Sequence, residues 1–243
     1  MGWNAPVVRA AGYLISDSDW NDIAYDDMRY LKGLDGAVRI EDLWSAEWFS
    51  RMILFVDPGL SQDGFTAWGV GAGTVVSEGV SVLLTTDNHT SDITALVSKL
   101  PLYSIIVAGK QLVAEWIIQN LTSIADVGIY LTLSVSAASA GGTTNHFGFL
   151  ITNADIFATN ADGATQKSTD TTSNVATGAQ ITRLRAVLTP GTNCKFYVND
   201  VLKITHTVNL PAAGDYYPQF WIITTANAVK ATTVGRLGIQ KEY

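Results

Sequence analysis

Lys195-Phe196-Tyr197-Val198-Asn199-Asp200-Val201-Leu202-Lys203-Ile204-Thr205-His206 reads as a β-hairpin. Phe196, Val198, Val201 and Ile204 are strand formers, and Asn199-Asp200 supplies the tight turn, because short Asx side chains tolerate the backbone angles such a turn needs. Thr189-Pro190-Gly191-Thr192, just upstream, is a second turn signal. A strand over about 182–188, a turn and a hairpin therefore follow one another without a gap. Only an antiparallel sheet is built this way.

The same reading extends outward. The sequence predicts strands over 52–56, 65–70, 74–76, 80–85, 128–136, 147–151, 156–159, 181–188, 193–198, 201–207, 217–225 and 233–240. It also predicts a hairpin that pairs 104–107 with 111–118 across Gly109-Lys110. In 128–136, Ile129, Leu131, Leu133 and Val135 alternate onto one face, the mark of a half-solvated sheet. Segment 165–177 reads as a polar edge or a loop. More than a dozen short strands separated by turns predict an all-β fold: a two-sheet antiparallel jelly-roll sandwich over 43–243. Residues 1–42 form a separate N-terminal region, a short arm followed by an α-helix. Ser16 and Asp19 give that helix its cap, Gly33 ends it, and Trp20, Ile23, Ala24, Met28 and Leu31 form one apolar stripe. A helix this short needs a surface to pack on: the sandwich itself, sister helices or a docking partner, of which the last two together are preferred, so the stripe is read as an oligomer or partner contact.

Composition narrows the function. The chain has 243 residues, 47% of them hydrophobic and 15% charged, and a formal net charge of -7. An acidic chain does not offer the basic surface that nucleic acid requires. No apolar run reaches the length needed to cross a membrane. A single cysteine, Cys194, excludes an intrachain disulfide and reads as a small buried hydrophobe. No signal peptide is apparent, so folding in a reducing cytoplasm is expected. The sequons Asn88-His89-Thr90 and Asn120-Leu121-Thr122 read as chance matches.

Chemistry is sparse. His89, His146 and His206 are isolated from one another, and no metal or other cofactor is expected from them. Asp87-Asn88 with Asp92, and Asp155 with Asp162, are the candidate calcium ligands, but they read better as solvated turn residues. No Gly-x-Ser-x-Gly elbow is present, and Gly69-Val70-Gly71-Ala72-Gly73 lacks the lysine and helix of a phosphate loop. Of the aromatic residues Trp44, Trp48, Trp68, Trp116, Trp221, Tyr216 and Tyr217, Trp116 and Trp221 sit inside apolar strands and read as core. Tyr216-Tyr217, beside Pro218, reads as an exposed pair for glycan or partner contact.

Two resemblances add expectations. Gly12-Tyr13-Leu14-Ile15-Ser16-Asp17-Ser18-Asp19-Trp20-Asn21, followed by Met28 to Gly36, resembles the N-terminal segment of tailed-phage and prophage structural proteins. Ile181-Thr182-Arg183-Leu184-Arg185-Ala186-Val187-Leu188, Cys194 to Leu202, Pro218-Gln219-Phe220-Trp221 and Val234 to Leu237 are together similar to concanavalin A-like (laminin-G-like) sandwich domains, with Asp200 where glycine is common. What these imply is a non-enzymatic virion structural protein: a capsid decoration, head fibre or tail-associated appendage, anchored by its N-terminus to other virion proteins and assembled as a homo-oligomer, with a trimer preferred by analogy. The alternative is a carbohydrate-binding module for host surface glycans. The glycosidases of this fold place their carboxylates on one strand as Glu-x-Asp-x-x-Glu. That string is absent: Glu41, Asp42 and Glu47 precede the sandwich, and Glu115 stands alone. The expectation is therefore no catalytic residue.

Overall fold

The computed structural model describes residues 51–56, 65–78, 81–99, 101–102, 105–119, 125–175 and 181–242. The expected arm, the helix and its stripe Trp20, Ile23, Ala24, Met28 and Leu31 lie outside the described residues, as do Trp44, Trp48 and the second sequon. The chain divides into two compact units, 1–53 with 242–243, and Leu54–Lys241. The second unit holds nearly all the described residues.

Fifteen strands are described: β1 (Arg51–Val56), β2 (Phe65–Val70), β3 (Thr74–Glu78), β4 (Ser81–Thr85), β5 (Ile93–Ser98), β6 (Leu112–Gln119), β7 (Val127–Ser134), β8 (His146–Thr152), β9 (Asp155–Ala161), β10 (Gln166–Asn174), β11 (Thr182–Thr189), β12 (Asn193–Val198), β13 (Val201–His206), β14 (Tyr217–Thr224) and β15 (Ala231–Glu242). One sheet runs β13-β12-β11-β6-β15-β4-β3, with β1 pairing β15 off this path. The other is a seven-stranded sheet, β10-β9-β8-β7-β14-β5-β2. All the strand pairs whose register is resolved are antiparallel. The expected all-β, two-sheet sandwich is thus the architecture of the described residues.

The opening hairpin forms as read. Asn199 and Asp200 both have positive φ, 47° and 65°, the signature of the tight turn whose twist matches that of its strands. Asn199 also ties the turn back to the next strand. Its N–H donates to the Arg183 carbonyl at 2.8 Å, and its Oδ1 accepts the Arg183 N–H at 2.9 Å.

One apolar cluster fills the space between the sheets, and its centre is aromatic. Phe149 on β8 lies edge-on to Trp116 of β6 at 5.9 Å and to Phe196 of β12 at 5.5 Å, and all three are fully buried. One ring from the seven-stranded sheet therefore inserts between two rings of the other, in the edge-to-face geometry that aromatic quadrupoles favour. Cys194 is buried in the same core, and burial pushes its thiol up from the ordinary value.

His206 closes one side of the sandwich. Its ring packs edge-on to Phe196 at 5.1 Å. Its Nδ1–H donates to Asn160 Oδ1 on β9, and its Nε2 accepts the Thr169 hydroxyl of β10 at 2.9 Å. Strand β13 is thereby bonded to the edge strand β10 of the opposite sheet and to its neighbour β9. Burial, and then the nearby Lys167 charge, bring His206 down to about 4.

Two strand assignments differ from the sequence reading. Residues 105–107 form no strand. Gly109-Lys110 does turn, with Lys110 N–H on the Val107 carbonyl at 3.1 Å, but both edges of β6 are taken by β11 and β15, so a hairpin has no edge to use. Strand β5 was not expected, because its central four residues are buried and the alternation that marks a strand is lost when both faces are covered. Of the two readings of 165–177, the polar edge is the one that forms: 166–174 is the edge strand β10, with an irregularity between Asp170 and Asn174.

Two outcomes are expected. Phe149→Ala should cost about 3–5 kcal/mol in urea unfolding, as an aromatic cavity in a packed core does, and Phe149→Leu less. The second concerns pH. As pH is lowered, a histidine with an ordinary value of 6.5 in the unfolded chain binds its proton before folded His206 does, so the unfolded state holds more protons in that interval and stability falls as the pH falls. The melting temperature should be flat above about pH 6.5 and drop between 6.5 and 4. His206→Gln should lower it at neutral pH and flatten that slope.

Candidate functional site

The sheet faces that look away from the core differ in chemistry. On the sheet containing β6, β11 and β12 the outward side chains are charged. Arg183 pairs with Glu115 at 3.5 Å and Asp200 at 3.1 Å, and the Arg185 guanidinium lies 4.4 Å from the centre of the Tyr197 ring. These are half-exposed surface pairs of the kind that contribute little. The outer face of the seven-stranded sheet is aromatic and hydroxylated, and it is the candidate site.

Register places its residues in rows. Trp221, Tyr130, Leu150, Phe157 and Asp170 stand opposite one another across β14, β7, β8, β9 and β10. The neighbouring row is Gln219, Thr132, Gly148, Thr159 and Ser168, and the next is Tyr217, Ser134, His146, Ala161 and Gln166. Tyr130, Leu150 and Phe157 are half-buried, while Ser168 and Asp170 are exposed. Two strand spacings separate Tyr130 from Phe157, about 10 Å. Trp221, Ala95 and Val97 form a second apolar cluster with Ala140, and Ile93, Tyr130 and Tyr217 pack against it.

Gly148 lies in the hydroxyl row with φ of 150°, and a Cβ there would come within 2.1 Å of the Leu131 carbonyl oxygen. The absence of a side chain lets β7 and β8 approach closely. Beside it, a hydrogen-bonded chain fixes the polar groups. His146 Nδ1–H donates to the Thr144 carbonyl at 2.7 Å, the Thr159 hydroxyl donates to His146 Nε2 at 2.9 Å, and Gln166 Nε2 donates to the same hydroxyl at 2.9 Å. His146 is wholly buried, and burial lowers it from its ordinary value, so the ring is neutral at pH 7.

The aromatic residues singled out from sequence separate. Trp116 is core. Tyr216 is core as well, a correction to its reading as exposed. It is wholly buried against Phe147 at 6.4 Å, with its hydroxyl on the Ala212 carbonyl at 2.6 Å. Tyr217, one residue on, faces outward, because successive residues of a strand point to opposite sides. Trp221 is buried as read, but in the smaller cluster on the outer face. Tyr130 and Phe157 went unnoticed. The signal available was their alternation with Ile129, Leu131, Ile156 and Ala158.

Of the two candidate calcium sets, Asp155 with Asp162 does not converge, while Asp87 and Asp92 are neighbours. Asp155 and Asp162 stand at opposite ends of β9, about 20 Å apart at strand rise. Asp162 caps its own turn, accepting the Thr165 and Ala164 N–H groups at 2.8 and 2.9 Å, and these hold its carboxyl below the ordinary value. Asp92 accepts the Asp87 N–H, while Asp87 accepts Asn88 N–H at 2.7 Å and His89 Nδ1–H at 3.1 Å. Among the described residues no three His, Cys, Asp or Glu side chains are grouped as a metal site.

No family model matches the chain, and no curated protein matches it by sequence. Solved structures share its fold. The carbohydrate recognition domain of Emp46p, in its potassium-bound form, is similar at 12% identity with a TM-score of 0.53, over 76% of this chain and 91% of that one. A native glycosidic hydrolase is similar at 9% identity and 0.57, over 79% and 95%. The Bacillus licheniformis β-glucanase is similar at 8% identity and 0.56, over 77% and 97%. At these identities the likeness is one of fold, the concanavalin A-like and glucanase-type sandwich, and none of the three points to a tailed-phage protein. The expectation that the chain is not an enzyme is corrected by the same finding: glycoside hydrolases occupy this architecture, so a display-module reading of the fold is no ground for excluding catalysis. Among the described residues, the carboxylates on this face are Asp155 and Asp170, both at the β9–β10 side.

Gly148→Ala is expected to cost about 1–3 kcal/mol, the range for a backbone forced out of its allowed region. Chemical denaturation checks this, and loss of the native near-ultraviolet spectrum would show the β7–β8 contact itself giving way.

Proposed function

We propose that this chain is a carbohydrate-binding β-sandwich whose ligand lies across the outer face of the seven-stranded sheet. The observation that carries it is the half-buried row Tyr130, Leu150 and Phe157, flanked by the accessible hydroxyl-bearing residues Ser168 on one side and Thr152 on the other. Sugar rings present apolar C–H faces and a rim of hydroxyls. A strip that offers ring faces at its centre and hydroxyl and amide partners beside them matches both features. Its carboxylates lie at one side only, which favours a neutral glycan over an acidic one. The carbohydrate recognition domain among the fold neighbours supports the same reading.

A glycan array tests it. At least one neutral oligosaccharide should bind, and Phe157→Ala should weaken it about tenfold or more, the loss of one stacked aromatic of roughly 1.4 kcal/mol. An array with no signal above background sinks the proposal. Assaying reducing-sugar release from any glycan that binds, with Asp170→Asn alongside, decides whether binding is accompanied by cleavage.

A second reading concerns where such a module works. The N-terminal resemblance to tailed-phage structural proteins, over Gly12 to Gly36, supports an appendage on a virion, assembled as a trimer and anchored through Trp20, Ile23, Ala24, Met28 and Leu31. Light scattering of the full chain beside a variant beginning at Leu43 tests this. A trimer that becomes a folded monomer on truncation supports the anchor; two monomers remove the oligomer.

A further inference from the structure

Residues 135–145 join β7 to β8 and fold back over the outer face of the seven-stranded sheet. Their composition, Val-Ser-Ala-Ala-Ser-Ala-Gly-Gly-Thr-Thr-Asn, contains little that can anchor a segment by burial. Ala140 is the one residue of this segment seated in the apolar cluster of Trp221, Ala95 and Val97. The remaining grip comes from the sheet. The Thr132 hydroxyl donates to the Ala140 carbonyl at 2.9 Å, the Ser134 hydroxyl donates to the Ser139 carbonyl at 2.7 Å, and Gln219 Nε2 donates to the Ser136 carbonyl. Next to these, Gly141 lies on the Tyr130 ring so closely that a Cβ would come within 2.7 Å of it.

One group under this segment is left over. Gln219 is wholly buried, and its Oε1 has no hydrogen-bond partner among the described residues. A buried amide oxygen without a donor is costly, and here it belongs to the same amide that holds the segment down. Thr132, Ser134 and Gln219 thus form a set of donors, with one spare acceptor, beside the faces of Trp221, Tyr130 and Tyr217. They hold three backbone carbonyls in the way they would hold the oxygens of a hydroxylated ligand.

We propose that 136–144 is a displaceable strap over a second subsite, in which Trp221 and Tyr217 receive a sugar ring, Thr132 and Ser134 bond its oxygens, and Gln219 Oε1 accepts one of its hydroxyls. The proposal rests on the carbohydrate-binding reading above and adds regulation to it. The strap and the sugar compete for the same donors, so the closed strap lowers the apparent affinity by the fraction of chains that are open. The open surface at Leu150 and Phe157 takes the first sugar units, and a longer oligosaccharide gains the second subsite only by lifting the strap.

The test uses the full chain with two variants, Ala140→Asp, which sets a charge against Trp221, and Ala140→Gly, which removes the apolar anchor without burying a charge. Oxidative footprinting read by mass spectrometry reports modification at Trp221, and calorimetry reports binding of cellohexaose, laminarihexaose and mannohexaose. The expected result is faster oxidation of Trp221 in a variant that keeps the native melting profile, and about three- to tenfold tighter binding of a hexaose than by the natural chain, as a larger open fraction requires. Unchanged oxidation of Trp221 in both variants overturns the strap. Faster oxidation with unchanged or weaker binding, where the natural chain does bind, overturns the subsite while leaving carbohydrate binding at the open surface intact. If no hexaose binds any of the three proteins, the subsite falls together with the function it extends.

Discussion

Phe149 decides how the two sheets meet. A sandwich is two surfaces with no covalent reason to adopt a particular offset, and side-chain packing has to supply it. Here a ring from β8 enters the gap between Trp116 and Phe196 of the facing sheet, with centroid separations of 5.9 and 5.5 Å. Slipping β8 by one residue in its pairing with β7 and β9 would turn Phe149 outward. Around that contact Leu131, Leu133, Leu184, Ile118 and Leu237 complete the buried layer. His206 extends the ring contacts to the edge, where its two side-chain hydrogen bonds tie β13 to β9 and β10.

With the inner faces committed, each sheet keeps one outer face, and the two are used differently. Arg183, Arg185, Glu115 and Asp200 make one of them a charged surface. The other bears Trp221, Tyr130 and Tyr217 under the strap, with Phe157 beyond it. This second face is the costly one to leave in water, since apolar area there is contiguous rather than scattered. The strap covers part of it with small residues and backbone carbonyls. The remaining exposure at Leu150 and Phe157 is what makes the face a candidate for a ligand that is itself half apolar. Stability and recognition draw on the same surface, and the loop from β7 to β8 is where the two demands meet.

The sequence carried a good deal of this at the level of strands. Asn199-Asp200 allowed one local geometry, and the hairpin formed on it. Ile129, Leu131 and Leu133 alternated and turned inward together. Strand β5 was hidden for a physical reason: Leu96 faces the main core while Ala95 and Val97 face the strap cluster, so neither side is polar and the period of two disappears. The supposed hairpin at 104–118 failed for a complementary one. Its turn was legible, but the partners of β6 come from β11 and β15, and no local pattern records which distant strand will claim an edge.

The site was less legible than the fold. Tyr216 and Tyr217 look alike as neighbours in the chain, and only the pleat, with its alternation of faces, sent one into the core and the other outward. Tyr130, Leu150 and Phe157 come from three different strands, and their row exists only once β7, β8 and β9 are in register. The chain by itself determined the all-β class, the tight turns and the inward set on each strand, because these depend on residues close in sequence. The tertiary structure decided which aromatic residues share a face, what the 135–145 segment covers and where the sheet edges close. Those depend on strand order and register, which are set by packing between residues far apart in the chain.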